Sequence, residues 1–160
     1  IAEARFLRGI FHMEARKMWR MPPYIGEEDY ILDDVESTKV PNDREIWPFI
    51  EADFEAAAAS LPTTQCQVGR PTSWAAKAFL AKSKMYQGWD ENGTPNTAKL
   101  GEAKTLLDEI VNSGVFSLTA KFEDNFFITK IWNIFSIFKS IMSNYSTFLC
   151  KTFNMACLFT

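Results

Sequence analysis

Apolar side chains recur every three or four residues in four segments up to Gly114, which predicts four α-helices joined by polar connectors. Prolines and glycines mark the ends of these segments, because proline cannot continue a helix and glycine is favoured just beyond one. The predicted helices run from Ile1 to about Trp19, from about Asn42 to just before Pro62, from Thr72 to Gly88, and from Thr97 to about Ser113.

The first two predicted helices each carry one apolar stripe. In the second helix, Glu51, Asp53 and Glu55 lie on other faces and are expected to be solvated. Pro48 removes a backbone donor, so either the regular helix begins close to Trp47 or the helix kinks there. The expected stripes are Phe6, Leu7, Ile10, Phe11 and Met18 in the first helix, and Ile46, Ile50, Phe54, Ala57, Ala58 and Leu61 in the second.

The third and fourth predicted helices form an antiparallel hairpin, because the turn-forming segment Asp90–Asn96 joins them. The third is rich in alanine, which permits close approach of its neighbours. Each helix needs a partner to bury its stripe, so the sequence predicts an all-α fold of tetratricopeptide-like hairpins, an α-solenoid scaffold. An exact repeat of about 34 residues is not visible. Ala76, Phe79, Leu80, Leu107 and Ile110 are expected to be buried together within the hairpin.

Composition bounds the possible functions. The 160 residues carry a formal net charge of −3, which argues against a nucleic-acid partner, because phosphate binding needs a concentrated basic surface. Three cysteines, Cys66, Cys150 and Cys157, form no CxxC pair and are too few for a disulfide framework. They therefore do not identify the compartment.

The acidic residues stop abruptly. Residues 1–125 contain 14 basic and 20 acidic side chains, a formal charge of −6, whereas residues 126–160 contain three lysines and no acid. We expect residues 128–160 to be a divergent tail, read from a truncated or frame-shifted sequence. A C-terminal membrane segment and a helix that covers the last hairpin are the alternatives, although no run of about 18 uncharged residues exists there.

Two stretches resemble motifs of the SusD/RagB family. Glu3–Arg8 (EARFLR), followed by Pro23, resembles the family segment EARFLRAYYY…VPL, and Gly69–Lys82 (GRPTSWAAKAFLAK) resembles GRATKGAAKALLAK. Further matches, in the family's order, are Glu51–Pro62, Leu107–Leu118 and Phe122–Phe126. The resemblance covers residues 1–127, which we interpret as a SusD-like helical domain, with the tail of 128–160 outside it.

The sequence departs from the family pattern at a few positions. Gly9, Ile10 and His12 replace a small-then-tyrosine run, and Trp74 stands where the family prefers glycine. Ser83-Lys84 replaces an apolar–aromatic pair. These differences predict a divergent member with altered surface packing rather than a different fold.

The resemblance implies a lipid-anchored protein at the surface of the outer membrane, which caps a TonB-dependent SusC-like transporter and holds oligosaccharide or another nutrient polymer for import. The chain begins at Ile1, within a helix-forming run and without a targeting segment, so we expect it to be a fragment and its lipid anchor to lie elsewhere. The family's glycan contacts lie mostly outside these helical motifs, so the resemblance assigns no binding residue here.

Candidate ligand-binding residues come instead from aromatic chemistry. The apolar faces of tyrosine and tryptophan rings can stack on sugar C–H groups while their polar tips form hydrogen bonds. Trp19, Tyr24 and Tyr30 lie where the first helix gives way to a loop, and they are the candidates, with hydrophobic packing as the alternative.

Other polar residues suggest structural roles. His12 has no second histidine to share a metal, so it is interpreted as a core or boundary residue. The acidic connector (Glu27, Glu28, Asp29, Asp33 and Asp34) lacks the ligand spacing of a calcium loop and is interpreted as solvated. Gly69-Arg70 could meet an anion at a helix start, although a capping role is simpler.

The sequence thus predicts a binding protein with no catalytic residue, metal or cofactor, because it shows no nucleophile with a base and no phosphate-binding loop. The expected ligand is an oligosaccharide and the expected protein partner is a SusC-like transporter. The alternative is a tetratricopeptide-like scaffold that binds a peptide or a partner helix in its groove, without a glycan role.

Overall fold

The computed structural model describes residues 1–30, 33–34, 39–67 and 69–117. Within these ranges the chain forms four helices: α1 (Ala2–Trp19), α2 (Trp47–Ser60), α3 (Ser73–Tyr86) and α4 (Thr97–Asn112). The one β-type pairing among them is an isolated bridge between Trp89 and Pro95. The predicted all-α fold is confirmed. The tail, residues 128–160, lies outside the described residues.

Each helix packs antiparallel on the next one in the chain. The start of α2 lies beside the end of α1, because Arg16 binds Glu45 with Nε–Oε1 and Nη2–Oε2 distances of 2.9 and 2.8 Å. Trp47 at the start of α2 stacks on Tyr86 at the end of α3. Lys77 near the start of α3 binds Glu109 near the end of α4 at 2.8 Å. The ends of α1 and α3 therefore lie on the same side of the array.

Three phenylalanines form the centre of the core, one from each of the first three helices. The ring centroid of Phe6 lies 6.0 Å from that of Phe54 and 5.4 Å from that of Phe79, and Phe54 and Phe79 are 5.7 Å apart. Gly9 lets α1 approach α2 here, since a β-carbon at this position would lie only 2.8 Å from the Phe54 ring. The buried core also contains Met13, Ile46, Trp47, Ile50, Ala57, Ala75, Ala76, Leu80 and Ile110.

The helix starts agree with their sequence signals, with one correction. The Thr72 hydroxyl accepts a hydrogen bond from the Ala75 amide, and the Asn96 side chain accepts one from Lys99, which caps α3 and α4. The second helix begins at Trp47 rather than near Asn42, which selects the first of the two alternatives for Pro48. Proline suits the first turn because its missing N–H would have no helical partner there.

Two of the predicted apolar sets are confirmed only in part. In α1 the buried face is Phe6, Gly9 and Met13, whereas Leu7, Phe11 and Met18 are exposed. The reason is that α1 packs mainly on α2, with a small contact to α3, so only a narrow face is covered. In the hairpin, Ala76, Phe79, Leu80 and Ile110 are buried as predicted, but Leu107 is 39% exposed.

Polar residues expected at the surface are buried instead. Glu51 and Asp53 of α2 and Lys84 of α3 each expose less than a tenth of their surface. Arg8 and Tyr24 bind Asp53, and Glu51 binds Lys84, so each charge has a partner. Pairing is what makes such burial tolerable, because an unpaired buried charge is strongly unfavourable.

Candidate functional site

Two of the three candidate aromatic residues lie at the surface. Trp19, the last residue of α1, is 66% exposed, and Tyr30 in the connector is 49% exposed. Both rings are open to solvent on a substantial part of their surface. A ligand-binding role for Trp19 and Tyr30 stays a prediction.

The third candidate, Tyr24, is buried in the core. Its ring stacks on Phe49 at 4.9 Å and lies 4.5 Å from the His12 ring, so little of it is left for a sugar to contact. Its hydroxyl donates a hydrogen bond of 2.8 Å to Asp53 Oδ2. For Tyr24 the structure therefore shows the packing alternative.

Tyr24, Asp53 and Arg8 form one buried polar cluster. Arg8 Nε donates to Asp53 Oδ2 at 2.8 Å, and its guanidinium carbon lies 5.3 Å from the Tyr24 ring centroid. Burial raises the pKa of Tyr24, and its hydrogen bond to Asp53 raises it further, so the phenol stays protonated at physiological pH. Hydrogen bonding to Asp53 likewise keeps Arg8 charged by raising its pKa. The cluster ties the connector to α1 and α2.

A second group of aromatic residues lies at the ends of α1 and α3. Tyr86 is the last residue of α3, Trp89 follows three residues later, and they are 49% and 55% exposed. Together with Trp19 they define the aromatic end surface. Sequence reasoning missed Tyr86 and Trp89, because both lie in or beside a helix that was assigned to the core. The signal available was that Tyr86 and Trp89 lie close to Gly88, where the third helix was predicted to end.

Charged groups lie among these rings. The ammonium of Lys17 lies 5.2 Å from the Tyr86 ring centroid. Arg20, the residue after Trp19, forms an ion pair with Glu91, two residues beyond Trp89. This pair links the segment after α1 to the segment after α3, so Trp19 and Trp89 border the same region of the surface.

The backbone at the end of α1 is held in an unusual conformation. Arg20 has a φ of 65° and a ψ of −59°, and the Met21 amide donates to the Trp19 carbonyl oxygen at 2.7 Å. This is a three-residue γ-turn in its rare, strained form. It fixes the direction in which the chain leaves Trp19, at a cost of about 1–3 kcal/mol.

His12, Glu27, Asp29 and Arg70 are engaged in structural contacts. His12 Nδ1 lies 3.0 Å from the Arg8 carbonyl oxygen. In the acidic connector, Glu27 binds Arg5 at 2.7 Å, and Asp29 accepts a hydrogen bond from the Gly26 amide at 2.8 Å. Arg70 binds Glu3 at 3.0 Å, which favours a structural role over anion binding.

A depression of about 290 Å³ is lined by Ile1, Ala4, Arg5, Arg8 and Glu27. Its charged groups are already paired: Arg5 binds Glu27 through two hydrogen bonds of 2.7 and 3.0 Å, and Arg8 binds Asp53 at 2.8 Å. Among the described residues, no cluster of three or more histidine, cysteine or carboxylate side chains is arranged to hold a metal ion. None of the four described helices combines the length and apolarity needed to cross a membrane.

Known proteins resemble this helical array in sequence and in structure. The chain is 30% identical over 127 residues to a protein of Bacteroides ovatus described as a SusD-like protein; the match covers 79% of this chain and 23% of the relative. A crystal structure superposes on the same share of the chain, with a TM-score of 0.53, 27% sequence identity and coverage of 25% of that structure. The chain is similar to SusD-like proteins in sequence and in fold. The resemblance predicted from the motifs is thereby confirmed. No family model matches the sequence.

The chain spans about a quarter of the length of the proteins that it matches. The four-helix array is thus the counterpart of one part of a larger SusD-like protein.

Proposed function

We propose that this SusD-like chain is part of a protein that binds oligosaccharide, or another nutrient polymer, at the surface of the outer membrane for uptake through a TonB-dependent transporter. The observation that carries the proposal is the similarity in both sequence and fold to SusD-like proteins. Its protein partner is a SusC-like transporter, and its contact with the membrane is through a lipid anchor.

The proposal is one of binding without turnover. Within the described part of the chain, the two most buried carboxylates are Asp53 and Glu51, and both are used in ion pairs that hold helices together. His12 is likewise engaged, with a backbone carbonyl and the Tyr24 ring. These contacts support a scaffold that positions a surface, and the surface offers exposed rings such as Trp19 and Tyr30 for sugar stacking.

The test is a titration of defined oligosaccharides and soluble polysaccharides into this chain and into a longer SusD-like relative, followed by isothermal calorimetry. Chromatography of the sugar after prolonged incubation measures turnover. We expect heat of binding for the relative with at least one glycan, and an unchanged chain length of that glycan. Reproducible shortening of the glycan, or no binding to any glycan by the relative, would overturn the proposal.

One observation favours the alternative of a protein-interaction scaffold. Leu7, Phe11 and Met18 form an exposed apolar stripe on the side of α1 opposite to α2, and such stripes mark surfaces for another helix. The genomic sequence upstream distinguishes the two functions. A signal peptide that ends in a lipidated cysteine favours nutrient uptake, and a cytosolic start favours the scaffold.

A further inference from the structure

The connection between α3 and α4 contains an asparagine directly followed by a glycine, Asn92-Gly93. Both residues are exposed, and they lie in a tight turn in which the Gly93 amide donates to the Asp90 carbonyl oxygen at 3.1 Å. Gly93 has a φ of 78°, a backbone conformation that glycine adopts at no steric cost. The turn therefore explains why a glycine stands here.

The side chain of Asn92 takes no part in holding the turn. Asp90 Oδ1 accepts hydrogen bonds from the backbone amides of Asn92 and Thr94, at 2.9 and 2.7 Å. The Asn92 carboxamide itself has no hydrogen-bond partner among the described residues, so it is free to rotate in solvent. Asparagine is one of the chemically labile residues. An unbound, exposed carboxamide beside a glycine is available to react.

The nucleophile is the backbone nitrogen of Gly93, and a cyclic imide is the intermediate. Attack on Asn92 Cγ forms the N–Cγ bond and breaks the Cγ–Nδ2 bond, and Nδ2 leaves as ammonia with the proton from the Gly93 nitrogen. Water then opens the imide. Attack of water on the side-chain carbonyl yields aspartate, and attack on the backbone carbonyl yields isoaspartate.

The turn leaves room for this ring closure. A β-carbon on the residue that follows asparagine hinders the approach of its nitrogen, and nothing lies within 4 Å of the place that a β-carbon on Gly93 would occupy. Only the hydrogen bond from Gly93 to the Asp90 carbonyl has to open, and it lies in an exposed turn, where local opening costs least.

We propose that Asn92-Gly93 is a site of spontaneous deamidation, which modifies the turn between α3 and α4 irreversibly. Both products add a carboxylate beside Asp90 and Glu91. Isoaspartate also adds one carbon to the backbone between the two amides that Asp90 Oδ1 binds, so these amides no longer fit the same oxygen. Glu91, the partner of Arg20 in the segment after α1, lies within the altered turn. The modification therefore loosens a link between α1 and the hairpin. This inference is independent of the proposed function.

The experiment incubates this chain at neutral and mildly alkaline pH, both folded and in concentrated guanidinium chloride, and follows its asparagines by peptide mass spectrometry. Deamidation raises the mass of a peptide by about 1 Da, and chromatography separates the aspartate and isoaspartate forms. The internal control is Asn112, which is also exposed. The amide that follows it, that of Ser113, is held in a helical hydrogen bond to the Glu109 carbonyl oxygen at 3.1 Å.

Two variants test the mechanism. Gly93→Ala introduces the hindering β-carbon, although at a φ that alanine adopts only with strain. Asn92→Gln leaves the backbone of the turn as it is and lengthens the side chain, so that ring closure would have to form a larger and slower ring. Circular dichroism verifies that both variants are folded.

We expect Asn92 to deamidate at least about tenfold faster than Asn112 in the folded chain, and folding to slow Asn112 more than Asn92. Gly93→Ala should slow the reaction about tenfold, because the β-carbon restricts the approach of the nitrogen. Asn92→Gln should abolish it, and isoaspartate should be among the products of the parent chain. Equal rates at Asn92 and Asn112 in the folded chain would overturn the inference. Formation of aspartate without isoaspartate would also overturn it, because that result indicates direct hydrolysis rather than a cyclic imide.

Discussion

Lys84 Nζ lies 2.9 Å from Glu51 Oε2, in an ion pair whose two side chains are only 9% and 10% exposed. Glu51 also accepts hydrogen bonds from Lys99 of α4 at 2.7 and 2.9 Å, and Lys84 binds Glu102 of α4 at 2.6 Å. Since α3 lies between α2 and α4, Glu51 connects two helices that do not pack on each other. The network therefore fixes how the hairpin sits on α2.

Replacing both residues of this pair should lower the unfolding free energy by less than the sum of the two single replacements. Lys84→Met removes one of the cations that neutralise the buried carboxylate of Glu51. Glu51→Leu leaves the buried ammonium of Lys84 with Glu102 as its one remaining carboxylate. Each single variant should lose about 2–4 kcal/mol of unfolding free energy, while the double variant loses clearly less than the sum, because two apolar side chains of similar size replace a desolvated pair. Urea denaturation of the parent, both single variants and the double variant measures the coupling.

The control for this set of variants is the ion pair Lys104–Asp108 of α4. Its two residues are four positions apart and both side chains are exposed. Neutralising either residue should change the unfolding free energy by less than about 0.5 kcal/mol. If the losses at Glu51 and Lys84 are strictly additive, the buried network does not act as a unit.

The same network gives the stability a pH dependence. Burial raises the pKa of Glu51, but hydrogen bonds from Lys84, Lys99 and Gln87 outweigh it, and the net pKa is below the ordinary value of 4.5. A carboxylate whose pKa is lower in the folded state contributes stability above its unfolded pKa, and this is lost as the pH falls through the folded pKa. Stability should therefore decrease below about pH 4.5.

Melting temperatures of the parent and of Glu51→Gln between pH 2.5 and 7, on the order of one measurement per half unit, test this. The melting temperature of the variant should fall less steeply at acid pH than that of the parent. Equal decreases in the two proteins would show that Glu51 does not cause the pH dependence.

The burial of Glu51 and Lys84 also shows what helical periodicity can predict. Periodicity located the four helices, because it depends on local spacing. The sequence placed the starts of the third and fourth helices at Thr72 and Thr97, and the structure shows that Thr72 and Asn96 cap α3 and α4. Such a pattern predicts that a charged residue is exposed, even when it lies in the core, because the oppositely charged partner that allows its burial belongs to another helix. The pairing of α2 with α3 and α4 is not contained in the local pattern.

The candidate site was only partly predictable for a related reason. Trp19 and Tyr30 were recognised as loop-proximal aromatics and are exposed, but Tyr24 in the same region is buried through its contact with Asp53. Residues 24 and 53 are far apart in the sequence, so only the fold brings them together. In the opposite direction, Tyr86 lies within the helix predicted from Thr72 to Gly88 and was not singled out as a binding candidate, although half of its surface is exposed.

Two helical glycines should respond oppositely to the same substitution. At Gly9 a β-carbon would lie 2.8 Å from the buried Phe54 ring, whereas at Gly101 it would meet nothing within 4 Å. Alanine at Gly101 should raise the unfolding free energy by about 0.5–1 kcal/mol, because it lowers the entropy lost on helix formation. Alanine at Gly9 gains the same entropic stabilisation, but its β-carbon must displace the Phe54 ring, which costs about 1–3 kcal/mol. The unfolding free energy of this variant should therefore decrease. Thermal melts of the two variants should shift in opposite directions, and two stabilised variants would show that α1 and α2 are not in close contact.

The α3–α4 hairpin offers a second matched pair. Leu80 is buried and Leu107 is 39% exposed, although both were predicted to be buried. Leu80→Asp places an unpaired carboxylate in the core, at a cost of several kcal/mol, which is a large part of the about 5–15 kcal/mol that stabilises a typical domain. Leu107→Asp should cost much less, because its carboxylate can stay hydrated. Circular dichroism melts distinguish them, and equal effects of the two substitutions would contradict the described position of Leu107.

The last prediction concerns residues 128–160, which we propose are not part of the SusD-like domain. Their sequence contains no acidic residue and is rich in phenylalanine, isoleucine, serine and asparagine, whereas an evolved soluble surface intersperses both signs of charge. The described core is formed by residues 6–110, so removing the tail should leave it intact. A chain that ends at Phe127 should melt within about 2 °C of the full chain, since a loss of even 1 kcal/mol shifts the midpoint by more in a domain of this size. It should also be more soluble, because a segment rich in phenylalanine and isoleucine promotes association. Sequencing the locus and translating the other two frames beyond Phe127 supplies an independent measurement. A SusD-like continuation in either frame is expected; a confirmed native frame together with a large loss of stability on truncation would show that the tail is part of the domain.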